Sequence, residues 1–316
     1  MISVEKLTKQ YTTYQRGHRF WETLKSIFIR KKINVDALKG ISFTIKEGEL
    51  LGLIGPNGAG KSTTIKILTG ILYPTGGSVQ SMGYVPWKDR QKYVKHIGVV
   101  FGQKSQLIWD IPPIDSFYMN KAIYDIDHAS YESRLKKMGD ILNAHEIMRK
   151  PTRQLSLGER MRCEFIMAML HNPPLVFLDE PTIGLDVIAK ETIRNFIMEM
   201  NKQGVTFILT THDMDDLEHL AKRVIVINHG EIVFEGNMES LKTHLGTKKV
   251  LRLATHENLN IQEIEGISDI NRLSDFEIQL ELDTKIISID PTFRTAKTCF
   301  FYLILVDFLI FDRKYD

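Results

Sequence analysis

Leu50-Leu-Gly-Leu-Ile54-Gly55-Pro56-Asn57-Gly58-Ala59-Gly60-Lys61-Ser62-Thr63 decides the fold of this chain. The apolar run Leu50–Ile54 stops at Gly55-Pro56 and reads as a buried strand. Beyond Lys61, Ile65, Leu68 and Leu72 recur at helical spacing, which predicts a helix over Lys61–Leu72. Between strand and helix, residues 55–62 fit Gly-x-x-x-x-Gly-Lys-Ser in full, and that context makes the loop a phosphate cradle. Gly55, Gly58 and Gly60 let backbone N–H groups turn inward around an anion, with Pro56, Asn57 and Ala59 completing the loop. The helix start points its positive end at the same anion. Lys61 is expected to bridge β- and γ-phosphates, and Ser62, followed by Thr63, to offer a hydroxyl to Mg²⁺.

Downstream, the apolar run Leu175–Leu178 leads straight into Asp179-Glu180. A strand ending in two carboxylates suits a second metal contact, Asp179, and a general base for a water molecule, Glu180. Strand and helix then alternate: Val187–Met200 reads as helix, Val205–Leu209 as strand, Met214–Ala221 as a short helix, and Arg223–Ile227 with Glu231–Phe234 as a closing hairpin. Such alternation predicts an α/β fold, a mainly parallel sheet covered by helices. Upstream of the cradle, Met1 to about Leu50 reads as short antiparallel strands such as Ile41-Ser-Phe43-Thr-Ile45, an antiparallel β-subdomain. Residues 104–172 are mostly helical in pattern, a helical subdomain. After about His244 the alternating segments around Val250 and Phe276 predict a small α+β appendage, so we divide the chain at 1–243 and 244–316.

The bulk properties narrow the classes. Lys and Arg total 41 against 39 Asp and Glu, so no basic field invites nucleic acid. Two cysteines, Cys163 and Cys299, exclude a disulfide framework and a four-cysteine zinc site. The N-terminus lacks the order of a secretory signal, and the most apolar stretch, Cys299–Phe311, carries Asp307 and is too short to span a bilayer. If transport is the task, the channel lies on another chain.

Four further segments make the pattern specific: Gln103; Leu155-Ser156-Leu157-Gly158-Glu159-Arg160; Pro181-Thr-Ile-Gly184-Leu185-Asp186; and Thr210-Thr211-His212-Asp213. In this order, with the cradle and the Asp-Glu strand, the set resembles the nucleotide-binding domain of ABC transporters over roughly residues 1–240. The resemblance implies an ATPase that binds ATP and Mg²⁺ and sits at the cytoplasmic face of the membrane. It implies a second copy, or a homologous subunit, and a separate multi-span permease as partners. Gln103 matches the glutamine that senses metal and attacking water, although Gln106 lies in the same loop. Ser156 and Gly158 match the signature positions that contact the γ-phosphate held by the opposite protomer, Asp186 the aspartate that crosses between protomers, and His212 the histidine that meets the γ-phosphate. Tyr11, with Tyr14 as its rival, falls where an aromatic ring stacks on adenine. The general look of the cradle and helix resembles exporter subunits. A soluble relative acting on ribosomes or nucleic acid is the alternative.

Two departures stand out. The common signature is Leu-Ser-Gly-Gly-Gln, and here Leu157 and Glu159 replace a glycine and the glutamine. The added carboxylate either weakens a phosphate contact or is neutralised by Arg160 or Arg162. Residues 12–36 form an insertion in which Phe20, Trp21, Leu24, Ile27 and Phe28 mark one helical face with basic neighbours. That face either rests on a membrane or partner or packs on the domain itself. The tail, 291–316, is open between a buried strand, a partner-binding segment and a divergent end.

Overall fold

The computed structural model describes residues 1–14, 32–102 and 104–245, together with the strands 248–254, 267–274, 277–283 and 302–305. The insertion's apolar face, Gln103 and most of the tail lie outside these residues. The chain divides into two units, Met1–Met238 and Glu239–Asp316.

The N-terminal residues form two long strands rather than several short ones. Strand β1 (Ile2–Tyr14) pairs antiparallel with β2 (Lys32–Ile45), and β4 (Gly76–Ser81) pairs antiparallel on the other side of β1. Ile2 and Val4 of β1 and Ile41, Phe43 and Ile45 of β2 are buried, so alternate residues face one core. The register slips between Val4 and Leu7, where Lys6 takes a left-handed φ of 45°.

The second sheet carries the chemistry. Its order is β5 (Ile97–Phe101), β6 (Leu175–Asp179), β7 (Thr206–Thr210), β3 (Leu50–Ile54), β8 (Arg223–Asn228) and β9 (Glu231–Gly236). All neighbours run parallel except β8 and β9, which close the edge as an antiparallel hairpin. Every residue of β3 and β7 is buried, as expected of strands covered on both faces. Because β6, β7 and β3 are parallel neighbours, the loops after Ile54, Asp179 and Thr210 leave from the same edge of the sheet. Open parallel sheets bind ligands at this edge.

Helix α1 (Lys61–Leu68) follows the cradle; it stops four residues short of Leu72, at a cap on Thr69 just before Gly70. The short α2 (Arg90–Tyr93) precedes β5. The helical region contains α3 (Pro113–Ile123), α4 (His128–Ile141) and α5 (Leu157–Met169). Helix α6 (Val187–Lys202) buries Ala189, Ile193, Phe196, Ile197 and Met200 along one stripe, and α7 (Met214–Leu220) follows β7. Cys163, within α5, is fully buried, and that burial pushes its thiol up to about 12, an unreactive packing residue.

Helix α8 (Met238–Leu245) spans the division between the units. The second unit holds a four-stranded antiparallel sheet in the order β11 (Ile267–Ser274), β12 (Glu277–Asp283), β10 (Lys248–Ala254) and β13 (Tyr302–Leu305). The sequence pattern showed β10 and β12 but not β11, whose polar residues give no clear alternation.

Candidate active site

The cradle leaves β3 through Gly55, which adopts φ 150°. A Cβ there would lie 2.0 Å from the Ile227 carbonyl oxygen, so both conformation and space demand glycine. Helix α1 then opens with no side-chain cap and no acid in its first turn, leaving its N–H groups and positive end for an anion. Lys61 is buried, and its Nζ donates to the carbonyls of Gly55 at 2.6 Å and Pro56 at 3.1 Å. Burial lowers its pKa, while the carboxylates of Glu180 and Asp179 oppose that shift.

Asp179 stands at the end of β6. Its Oδ1 accepts from the Thr210 hydroxyl at 2.6 Å and from the Ser62 hydroxyl at 3.2 Å. Two of the three residues assigned to the metal from sequence, Ser62 and Asp179, therefore meet, and the third, Gln103, lies outside the described residues. Hard oxygen donors of this kind suit Mg²⁺, which binds few protein ligands and keeps phosphate and water for the rest. Among the described residues no group of three or more His, Cys, Asp or Glu side chains is arranged to hold a metal ion.

Glu180 has φ 54°, a left-handed conformation that costs a non-glycine residue on the order of 1 kcal/mol and is concentrated at functional sites. Its backbone N–H donates to the Thr210 carbonyl at 3.0 Å and to the Thr210 hydroxyl at 3.2 Å, which holds the turn. Its Oε2 lies 2.9 Å from Nδ1 of His212. Burial raises the Glu180 pKa, and the neighbouring His212 and Lys61 pull the other way. Opposite this turn, Gly102 donates its N–H to the Asp179 carbonyl at 2.9 Å, and a Cβ on Gly102 would lie 2.0 Å from the Glu180 carbonyl oxygen.

Thr210 and Gly102 were missed from sequence. Thr210 ends an apolar strand and looks like any strand terminus until the sheet order sets it beside Asp179. Gly102 stands next to Gln103, and that position was its one available signal. Gln103 itself lies outside the described residues. Its rival Gln106 donates its amide to the Val99 carbonyl at 2.5 Å, which commits that side chain to β5.

Ser156, Gly158 and Asp186 form a second group. Ser156 caps α5, accepting from the Glu159 N–H at 3.2 Å, while Glu159 Oε2 accepts the Ser156 N–H at 2.8 Å. This reciprocal capping box uses the carboxylate that departs from the common signature, and the Ser156 backbone bond lowers the Glu159 pKa. Arg162, one of its two expected partners, donates to the carbonyls of Leu142 and Asn143, and its charge, like that of Lys150, also lowers the Glu159 pKa. A Cβ on Gly158 would lie 2.8 Å from Cβ of Ala189, so α5 and the start of α6 touch here. Asp186 caps α6, accepting from Ala189 at 2.8 Å. Tyr11 lies on β1, partly exposed, with Lys9 Nζ 5.3 Å from its ring centroid; the Tyr14 side chain lies outside the described residues.

A phosphate cradle, an Asp-Glu pair and a histidine at one edge of a parallel sheet define a phosphate-loop ATPase of the kind built around a signature helix. The profile of the ABC transporter family matches residues 38–183. The linearmycin resistance ATP-binding protein LnrL of Bacillus subtilis is 30% identical over 83% of this chain and 83% of its own length. An uncharacterized ABC transporter ATP-binding protein of Methanocaldococcus jannaschii is 34% identical over 70% of this chain and 78% of its own. The ATP-binding cassette MJ0796, solved as a dimer in a post-hydrolysis state bound to ADP and Pi, superposes with a TM-score of 0.63 at 25% identity, covering 75% of this chain and 99% of that one. The chain belongs to the ABC transporter family and is an ATP-binding, ATP-hydrolysing subunit. Among the described residues no helix is long and apolar enough to cross a membrane.

Proposed function

We propose that this chain powers a membrane exporter as a head-to-tail pair that closes on two ATP molecules. The observation that carries the reading is that the two groups assigned to phosphate share no hydrogen bond among the described residues. Lys61, Ser62, Asp179, Glu180 and His212 gather at the edge of the parallel sheet, whereas the hydrogen bonds of Ser156 all run within its own helix. Ser156 and Gly158 then find their phosphate on a second copy, and Asp186 crosses between the two.

The cradle residues Gly55 to Thr63 would hold the β- and γ-phosphates, with Lys61 exchanging its bonds to the loop carbonyls for bonds to phosphate oxygens. Ser62 and Asp179 would hold Mg²⁺, which supplies charge neutralisation on the phosphates. Tyr11 offers its ring face to adenine. Glu180 takes a proton from water as the water oxygen bonds to the γ-phosphorus and ADP leaves. The pairing of His212 Nδ1 with Glu180 orients the imidazole and leaves Nε2 to meet the γ-phosphate. Gln103 completes the water and metal contacts.

Export as the direction is supported by LnrL, whose name records resistance to linearmycin. The permease would be a separate chain with several spans, which places this subunit on the cytoplasmic face of the membrane. Glu180→Gln is nearly isosteric and keeps Asp179, but its amide takes no proton. That variant should run as a dimer in ATP and a monomer without it by light scattering, and Ser156→Arg on top should restore the monomer. A Glu180→Gln protein that stays monomeric in ATP would end the head-to-tail reading. Co-purification with ribosomes in place of a multi-span membrane protein would end the exporter reading.

A further inference from the structure

Helix α6 begins at Asp186 and carries Lys190 and Arg194 one turn apart, on one side of the helix. Each grips a carboxylate from the segment after His212. Lys190 Nζ donates to Asp213 Oδ2 at 2.5 Å. Arg194 Nε donates to Asp216 Oδ1 at 2.6 Å, and its Nη2 reaches the same oxygen. Asp216 is completely buried and also accepts the hydroxyl of Thr182, two residues beyond Glu180. Asp213 meanwhile caps α7 through the Asp215 N–H at 3.0 Å and donates its own N–H to the Thr211 hydroxyl at 3.0 Å.

The ladder thus joins three segments of the site: the turn after Glu180, the helix that starts at Asp186, and both neighbours of His212. Stability alone does not call for it, because well-packed apolar residues often replace buried ion pairs at no cost. What the charges add is a fixed distance. Arg194, Asp216 and Thr182 form the buried end, while Lys190 and Asp213 are each about one-quarter exposed and sit beside the histidine.

We propose that the Lys190–Asp213 pair is a strut that positions His212 against Glu180 and makes the histidine move with the helix that begins at Asp186. Lys190 is a positioning residue here, since it acts through His212. The strut rests on the reading of Glu180 and His212 given above.

The test is epistasis in the full chain. Lys190→Met keeps the aliphatic stem and removes the ammonium, and Asp213→Asn keeps a capping side chain and removes the charge. Single-turnover hydrolysis of radiolabelled ATP should slow about tenfold in either variant, while ATP affinity stays within about twofold, the split expected when only the chemical step is touched. Lys190→Arg should recover most of the rate. Combined with His212→Ala, Lys190→Met should slow hydrolysis no further than His212→Ala alone, because a residue acting through His212 has nothing left to position. Parental hydrolysis by Lys190→Met, or the same tenfold loss in the His212→Ala background, would overturn the strut while leaving the site reading intact. Parental hydrolysis by His212→Ala would instead remove the site reading, and the strut with it.

Discussion

Lys61 shows most directly how a side chain waits for its ligand. It is buried, its pKa is lowered by that burial, and two of its three donors bond to loop carbonyls. Phosphate oxygens offer the same ammonium a stronger, charge-assisted partner. Lys61→Ala should therefore weaken ATP binding by at least about tenfold in fluorescent-analogue titration, the loss of one or more charged hydrogen bonds. Retained affinity would contradict the cradle assignment. Glu180 makes a second prediction at this scale. Burial raises its pKa above the ordinary 4.5, and only the ionised form accepts a proton. As pH falls, hydrolysis should fail through the Glu180 pKa, so the acid limb of kcat lies above pH 4.5, and Glu180→Gln should abolish the limb together with the activity. An acid limb at or below the ordinary carboxylate value would show that a different group takes the proton.

Between elements, the clearest join is a buried acid. Glu164 on α5 is almost fully buried and accepts the Gln106 N–H at 3.0 and 3.1 Å and the Ser105 hydroxyl. The signature helix is thereby pinned to the loop that follows Gln103. Glu164→Leu leaves those donors unpaired at about 1–3 kcal/mol each, so the melting temperature should drop by several degrees, and Glu164→Gln, which keeps one acceptor, should lose less. Equal melting temperatures for Glu164→Leu and the parent would show that water or a shifted loop satisfies the donors. The sequence displayed β3, β6 and β7 because each is an apolar run ending in a chemically distinctive residue. It hid the length of β1 and β2, whose outer residues Tyr11, Thr12, Thr13, Asn34 and Asp36 are exposed and break any hydrophobic alternation. Ser156 and Glu159 fit the spacing of a capping box, so the carboxylate that departs from the common signature serves the start of its own helix. Thr210 could not be read at all, since its partner Asp179 is 31 residues away in sequence and becomes a neighbour only through the sheet order.

Across the whole molecule, the described residues assigned to ATP, from Tyr11 to His212, fall inside the unit Met1–Met238. A chain ended after Leu245 should accordingly bind ATP with an affinity within about twofold of the parent, which corresponds to about 0.4 kcal/mol. Loss of binding would mean that the remaining residues are needed to hold the cradle. The sheet order has a further consequence for the chain as it is made. Strand β3 is completed early, but its neighbours β7 and β8 come some 150 and some 170 residues later. At about 5–20 residues per second a ribosome needs roughly 9–35 s to supply both. Throughout that interval Leu50–Ile54 is an apolar strand with two unpaired edges, and Gly55 lacks the Ile227 carbonyl beneath it. A nascent chain therefore has to shield this strand from other chains, by transient local burial or by a chaperone, until β8 emerges and the cradle can close for the first time.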